Sequence, residues 1–195
     1  MARAEHAAAN AAHRGASDVD DPLATLVERC RCGDMGAFER VVVETQGGVY
    51  NLAYSILGNR EDAQDVTQEV YVRVWRALPS FRGEARFTTW LYRIAVNCSL
   101  NRRRRLRRRL AEVDDDGILE RLEAPEPDPA EAAIANDHHQ MLWAAVERLP
   151  AKYQLVINLF YRQQLTYDEM AEVLAMPLGT IKAQLSRARQ ALAGM

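Results

Sequence analysis

The chain has 195 residues, 48% of them hydrophobic and 27% charged, with a formal net charge of −2. That length suits one ordinary domain or two small ones, and a total charge near zero does not by itself suggest a nucleic-acid binder. Three cysteines, Cys30, Cys32 and Cys98, exclude a disulfide framework, the Ala-rich N-terminus lacks the apolar core of a secretory signal, and no apolar run is long enough for a bilayer, so a cytoplasmic protein is expected.

Residues 1–21 are small and polar without an apolar period, the pattern of a disordered tail. Asp21-Pro22 is a helix start, with Pro at the first helical position, and Leu23, Leu26 and Val27 follow at helical spacing until Gly33-Asp34. A second helix carries Phe38, Val41, Val42, Tyr50, Leu52, Ala53, Ile56 and Leu57; Gly47-Gly48 is expected to loosen it, and Gly58-Asn59 to end it through a left-handed cap. A third opens at Asn59 or Arg60 with Val66, Val70, Val74 and Ala77 as its buried stripe, and Pro79 stops it. After a loop over Phe81 to Arg86, Thr88 or Thr89 is the expected cap of a fourth helix that contains Trp90, Leu91, Ile94, Ala95 and Leu100 and runs into the arginines at 102–105 and 107–109.

Beyond these, Pro125, Pro127 and Pro129 lie among acids, the composition of an extended, solvated linker. Helical periodicity resumes with Ile134, Met141, Leu142, Ala145, Val146 and Leu149; Pro150 starts another helix through Leu155, Val156, Leu159 and Phe160. Thr166 caps a short helix from Tyr167 to Leu174, and a last helix follows Pro177 and ends near Ala193. The expected fold is all-α: a tail over 1–21, one small helical bundle over 22–108, a flexible acidic linker over 109–131, and a second bundle over 132–195.

The charge is unevenly spread. The arginine block is followed at once by acids from Glu112 to Glu131, and from Val173 onward there is no acid while Lys182, Arg187 and Arg189 are basic. The acidic linker is expected to screen the basic patches. In the last segment an acidic helix (Asp168, Glu169, Glu172) and a basic one meet at Ala175-Met176-Pro177, the logic of a helix-turn-helix. Its second helix would enter the major groove: Thr180 at its start for a phosphate, Lys182 and Gln184 for bases or backbone, Arg187 and Arg189 for phosphates or guanine. The bland alternative is a solvated surface helix. In the first bundle Glu61, Asp62, Asp65, Gln68 and Glu69 share one helix face. Aromatics then alternate with arginines: Tyr71, Trp75, Phe81, Phe87, Trp90 and Tyr92 among Arg73, Arg76, Arg82, Arg86 and Arg93. That mixture suits single-stranded DNA, whose bases stack and whose phosphates pair with cations. Core packing is favoured for Trp75 and Trp90, and a base contact for Phe81.

Residues Asp65 to Leu78, Phe81 to Glu84 and Thr89 to Asn97 resemble the second conserved domain of extracytoplasmic-function (ECF) RNA polymerase sigma factors. Leu149-Pro150, Leu165 to Ala171, Pro177 to Lys182 and Ser186 to Arg189 resemble their fourth, in the right order and with a Pro- and acid-rich linker between. The resemblance implies a transcription initiation factor without catalysis or cofactor. Asp65, Gln68, Glu69, Tyr71, Val72, Trp75 and Leu78 would lie on the clamp helices of the largest subunit of core RNA polymerase. Phe81, Arg82, Arg93, Asn97 and Asn101 would bind the −10 element, with the loop holding a flipped base. Tyr167, Gly179, Thr180, Lys182, Gln184, Ser186, Arg187 and Arg189 would bind the −35 element. The apolar surface of the last domain would dock on the flap of the second-largest subunit, and an anti-sigma factor, soluble or membrane-bound, would regulate the chain. Gln154, Met176 and Ala183 depart from the usual pattern of the fourth domain.

Two rivals stand beside this. A ligand-sensing helix-turn-helix regulator would bind duplex DNA unaided; the aromatic and basic stretch from Phe81 to Asn97 speaks against it. A metalloprotein would use Cys30, Cys32, Cys98, His138 and His139, but C-x-C is not the spacing of a structural zinc site and no second pair follows.

Overall fold

A computed structural model describes residues 23–109 and 137–194. The expected tail, positions 110–131 of the expected linker and the side chains of His138 and His139 lie outside the described residues. Among the described residues, regular structure is helical throughout.

Helix α1 (Ala24–Arg31) buries Val27 and Cys30. It ends at Gly33, whose φ of 88° few other residues accept. Asp34 then caps α2 (Met35–Leu57), accepting from the Ala37 amide at 3.0 Å. Contrary to the sequence expectation, α2 runs unbroken through Gly47 and Gly48. Glycine costs helix propensity but keeps its donor and acceptor, and α2 is held by packing on α1, α3, α4 and α6. Gly48 also answers a steric need: a Cβ there would sit 2.6 Å from both the Gln163 Oε1 and the Tyr92 hydroxyl. Gly58 caps the helix in the left-handed region, as expected, at φ 68°.

Asn59 opens α3 (Arg60–Ala77), accepting from Asp62 N at 3.0 Å, and Val66, Val70 and Val74 form its buried stripe together with Ala63 and Tyr71. Pro79 converts the end into a 3-10 turn, Leu78–Ser80. Helix α4 (Phe87–Arg109) carries on through the arginine block. It begins at Phe87 rather than behind a threonine cap. Thr89 is fully buried, and its hydroxyl donates instead to Glu169 Oε1 at 3.1 Å, 80 residues away.

Beyond the linker come α5 (Asp137–Glu147) and α6 (Ala151–Ile157), the latter continuing as a π-helical segment, Asn158–Arg162. The departure at Gln154 has a structural use: it is buried, and its Nε2 donates to Glu147 O and Leu149 O, both at 2.8 Å, closing the turn between the helices. Arg162 stacks over Trp143, 4.6 Å from the ring centroid. Thr166 and Glu169 form a reciprocal capping box at the start of α7 (Tyr167–Leu174). Ala175 makes the turn at φ 52°, and α8 (Leu178–Ala193) follows from Pro177.

The first bundle packs α1, α3 and α4 around α2; the second packs α6 against α5 and α8, with α7 on α8. The sequence leaves the relative placement of the two units on their linker open. In the structure α4 packs on α7, and α2 on α6 and the π segment. Buried apolar residues from Leu23 to Ala188 form one cluster. At the junction the Tyr92 hydroxyl donates to Gln163 Oε1 beside Gly48.

Two predictions follow from this packing. Alanine in the left-handed region is strained, so Ala175→Gly should stabilise the chain by about 1 kcal/mol, a Tm rise of about 2–4 °C on thermal unfolding followed by circular dichroism; an unchanged or lower Tm would contradict the strain. Burial pushes the Tyr92 phenol up from 10.0 to about 12. A phenol raised on folding contributes stability that is full below its unfolded value and is lost as pH rises through the folded one. Stability should therefore fall between pH 10 and about 12, less steeply in Tyr92→Phe, as read by urea midpoints across that range.

Candidate nucleic-acid and polymerase surfaces

The charged face of α3 is tied to α4 by Arg102 and carries one ion pair of its own. Arg102 donates through Nε and Nη2 to Asp62 Oδ1 at 2.8 and 2.6 Å, and reaches Asp65 Oδ2 at 3.4 Å. Arg73 Nη2 pairs with Glu69 Oε1 at 2.5 Å. Each carboxylate raises the pKa of its guanidinium, Asp62 for Arg102 and Glu69 for Arg73. Of the expected polymerase-facing residues, Asp65, Gln68 and Val72 are exposed, and Glu69 and Trp75 half-buried. Tyr71 and Leu78 are not surface groups. Tyr71 is 8% exposed and hydrogen-bonds Thr45 Oγ1 at 2.8 Å, and Leu78 is fully buried, because both fall on the inward side of α3 and its terminal turn. Val72 is half exposed although large and apolar, which marks this face as one that gains from being covered.

At the next corner, Phe81 packs on Phe87 and Trp90, with ring centroids 5.9 and 5.0 Å apart. Phe81 and Trp90 are both half-buried, so each packs with one side and remains reachable from the other. Together with Arg82, Glu84, Arg93 and Glu172 they line an open cavity of about 460 Å³. Arg93, Asn97 and Asn101 recur every fourth residue on α4 and are all exposed, a polar stripe leading away from that cavity. All five residues expected at the −10 element thus lie on one continuous surface.

In the helix-turn-helix, Ile181, Leu185 and Ala188 bury the inner side of α8, leaving Gly179, Lys182, Ser186 and Arg187 outward and Thr180 half-buried in its first turn. Three expected contacts are placed otherwise. Gln184 is 8% exposed, one position from Leu185 on the inner side, and its Oε1 has no hydrogen-bond partner. Tyr167 is 3% exposed, stacked on Phe160 at 5.3 Å. Arg189 is held on the bundle, its Nε donating to the Tyr161 hydroxyl at 2.8 Å and its guanidinium 5.3 Å from the Phe160 ring. The period of Ile181, Leu185 and Ala188 carries Gln184 to the inner side; its polarity was the poor guide.

The thiols offer little chemistry. Cys30 and Cys98 are buried, which raises both thiol pKa values, while Cys32 is exposed. Among the described residues no three His, Cys, Asp or Glu side chains gather as metal ligands, and no helix is long and apolar enough to cross a membrane.

Comparison with known proteins agrees with this geometry. The family model for sigma-70 region 2 matches residues 41–109, and that for sigma-70 region 4 matches residues 139–192. The chain is 33% identical over 177 residues to the RNA polymerase sigma-H factor of Pseudomonas aeruginosa, covering 86% of this chain and 90% of that one. It is 31% identical over 172 residues to the ECF RNA polymerase sigma factor SigW of Bacillus subtilis (85% and 92%) and 35% over 173 residues to the ECF RNA polymerase sigma-E factor of Escherichia coli (86% and 90%). Among solved structures, the fold resembles CnrH in complex with the cytosolic domain of CnrY (TM-score 0.58, 22% identity, 87% of this chain and 94% of that one). It also resembles the sigma factor RpoE of Bartonella quintana in complex with the anti-sigma factor NepR (TM-score 0.59, 22% identity, 80% and 93%).

The buried amide at 184 gives a direct check on which side of α8 meets a ligand. Gln184→Leu removes an unpartnered polar atom, so it should leave duplex DNA binding within about twofold and hold or raise stability. A loss of DNA affinity of tenfold or more, about 1.4 kcal/mol, measured by fluorescence anisotropy, would return Gln184 to the binding face.

Proposed function

Because the chain belongs to the ECF subfamily of RNA polymerase sigma factors, we propose that its two bundles divide promoter recognition between two surfaces set at a fixed spacing by core polymerase. The family is one of transcription initiation factors, not of catalytic enzymes. The first bundle docks through Asp65, Gln68, Glu69, Val72 and Trp75 on the clamp helices of the largest subunit, with Tyr71 and Leu78 holding that face in shape from within. The outward stripe of α8 reads the −35 element: Lys182 and Arg187 meet phosphates or guanine, and Ser186 and Thr180 donate to the backbone. The apolar side of the second bundle contacts the flap of the second-largest subunit.

What carries this reading is the continuity between the cavity beside Phe81 and the exposed stripe of Arg93, Asn97 and Asn101. A base turned out of the −10 element would meet aromatic faces in the cavity while its strand followed polar and cationic groups along α4. Unstacking a base costs roughly a few kcal/mol, which such contacts offset only where the strand has opened. Each bundle binds weakly alone; joined, they reach useful affinity through effective concentration. As for RpoE with NepR, an anti-sigma partner regulates the chain, which acts in the cytoplasm.

Asn97→Ala should reduce open-complex formation, read by permanganate reactivity of promoter thymines, at least tenfold more than it reduces closed binding in a gel shift with holoenzyme, a differential of about 1.4 kcal/mol. Equal losses in the two assays would remove Asn97 from the strand-binding surface.

A further inference from the structure

The recognition helix carries one of only two lysines in a chain rich in arginine; the other is Lys152. Lysine is a compact charge on a long flexible stem, so its ammonium needs holding if it is to meet a partner at one place. On α8 the Lys182 side chain is exposed, and its Nζ lies 5.7 Å from the centroid of the Tyr167 ring, within cation–π reach.

Tyr167 is itself held from behind. It is 3% exposed and stacks on Phe160, with ring centroids 5.3 Å apart and an angle of 26° between the planes. Phe160 is also buried, meets the Tyr161 ring edge-on at 5.0 Å, and has the Arg189 guanidinium 5.3 Å from its centroid. The capping box of Thr166 and Glu169 fixes the turn from which Tyr167 projects. A chain of contacts thus runs from Arg189, which the bundle keeps, through two buried rings to Lys182, which faces outward.

We propose that Tyr167 is a positioning residue for promoter recognition: its buried ring holds the Lys182 ammonium on the outward stripe of α8, so that less side-chain freedom is lost when the lysine meets DNA. This rests on the −35 reading above. Tyr167 does not touch DNA; it acts through Lys182, which gives a use to an aromatic residue that its burial removes from the binding face. Burial alone asks only for an apolar side chain, and leucine would supply one; an ammonium asks for the face of a ring. A lysine gives up much rotamer freedom on binding, and a contact that restricts it beforehand lowers that cost.

The test uses holoenzyme and a fluorescein-labelled duplex that carries the −35 element of a promoter it transcribes and lacks the −10 element, followed by anisotropy. Tyr167→Leu should weaken binding about threefold, while Tyr167→Phe, which keeps the ring, should stay within about 1.5-fold of the unaltered chain. In a Lys182→Ala chain, Tyr167→Leu should cost nothing further. A loss that Tyr167→Phe shares, or that persists beside Lys182→Ala, would make Tyr167 a packing residue only and overturn the proposal. So would a Tyr167→Leu chain that binds as the unaltered one does while Lys182→Ala binds more weakly. If Lys182→Ala leaves affinity unchanged, the −35 role of Lys182 fails and the positioning role with it. Should Tyr167→Leu fail to fold, the unaltered chain decides: the ring current of Tyr167 should move the Lys182 ε-methylene proton resonances upfield of their place in the unfolded chain, and resonances at the unfolded position would overturn the proposal.

Discussion

The helix Phe87–Arg109 is the constraint on which the rest of the molecule depends. Its inner side, with Leu91, Ala95 and Val96, is sealed into the first bundle. Its side toward the second bundle carries Tyr92, Thr89 and Arg93; Tyr92 bonds Gln163, just past the π segment, and the other two bond carboxylates on α7. A single helix thus serves as core element of the first bundle and as its contact with the second. Gly48 permits the close approach, since any side chain there would collide with the Tyr92 and Gln163 pair. The junction joins these polar contacts to an apolar cluster that runs through both bundles.

This arrangement reconciles two demands. A promoter-reading chain needs basic and aromatic surfaces, yet such surfaces exposed at all times would bind nucleic acid indiscriminately. Acids on α7 and α3 lie against arginines on α4, at Glu172–Arg93 and Asp62–Arg102. The two sets differ in consequence. Arg102 joins α4 to the charged face of α3 within one bundle. Arg93 joins elements of two bundles.

Most of the helices were legible in the sequence because their signals are local: Gly33-Asp34 as a break, Asn59 as an opening, Thr166 as a cap, Gly58 as a terminator, Pro79 as a stop. The family was legible because two motif sets stood in order with a linker between. The placement of the bundles was not. Thr89 and Glu169 are 80 residues apart, and neither carries a pattern that names the other. Thr89 therefore read as a cap when it is a buried donor across the junction. Gln184 and Tyr167 read as DNA contacts because polar and aromatic residues in a recognition segment invite that reading, whereas burial at 8% and 3% settles their direction. Opposite charges on α4 and α7 were visible in the sequence, and were the one clue that the two might meet.

The account turns on two bundles that lie against each other in the chain and that we propose core polymerase sets at a fixed spacing on the promoter. The most direct measurement is energy transfer between a donor on the exposed Cys32 of the first bundle and an acceptor at Ala193→Cys in the second, taken before and after core RNA polymerase is added. High transfer in the free chain that falls on holoenzyme formation, with promoter-dependent run-off transcription, is the result expected. Transfer that stays high in a transcribing holoenzyme, or a chain that recognises duplex DNA but never associates with core polymerase, would contradict it.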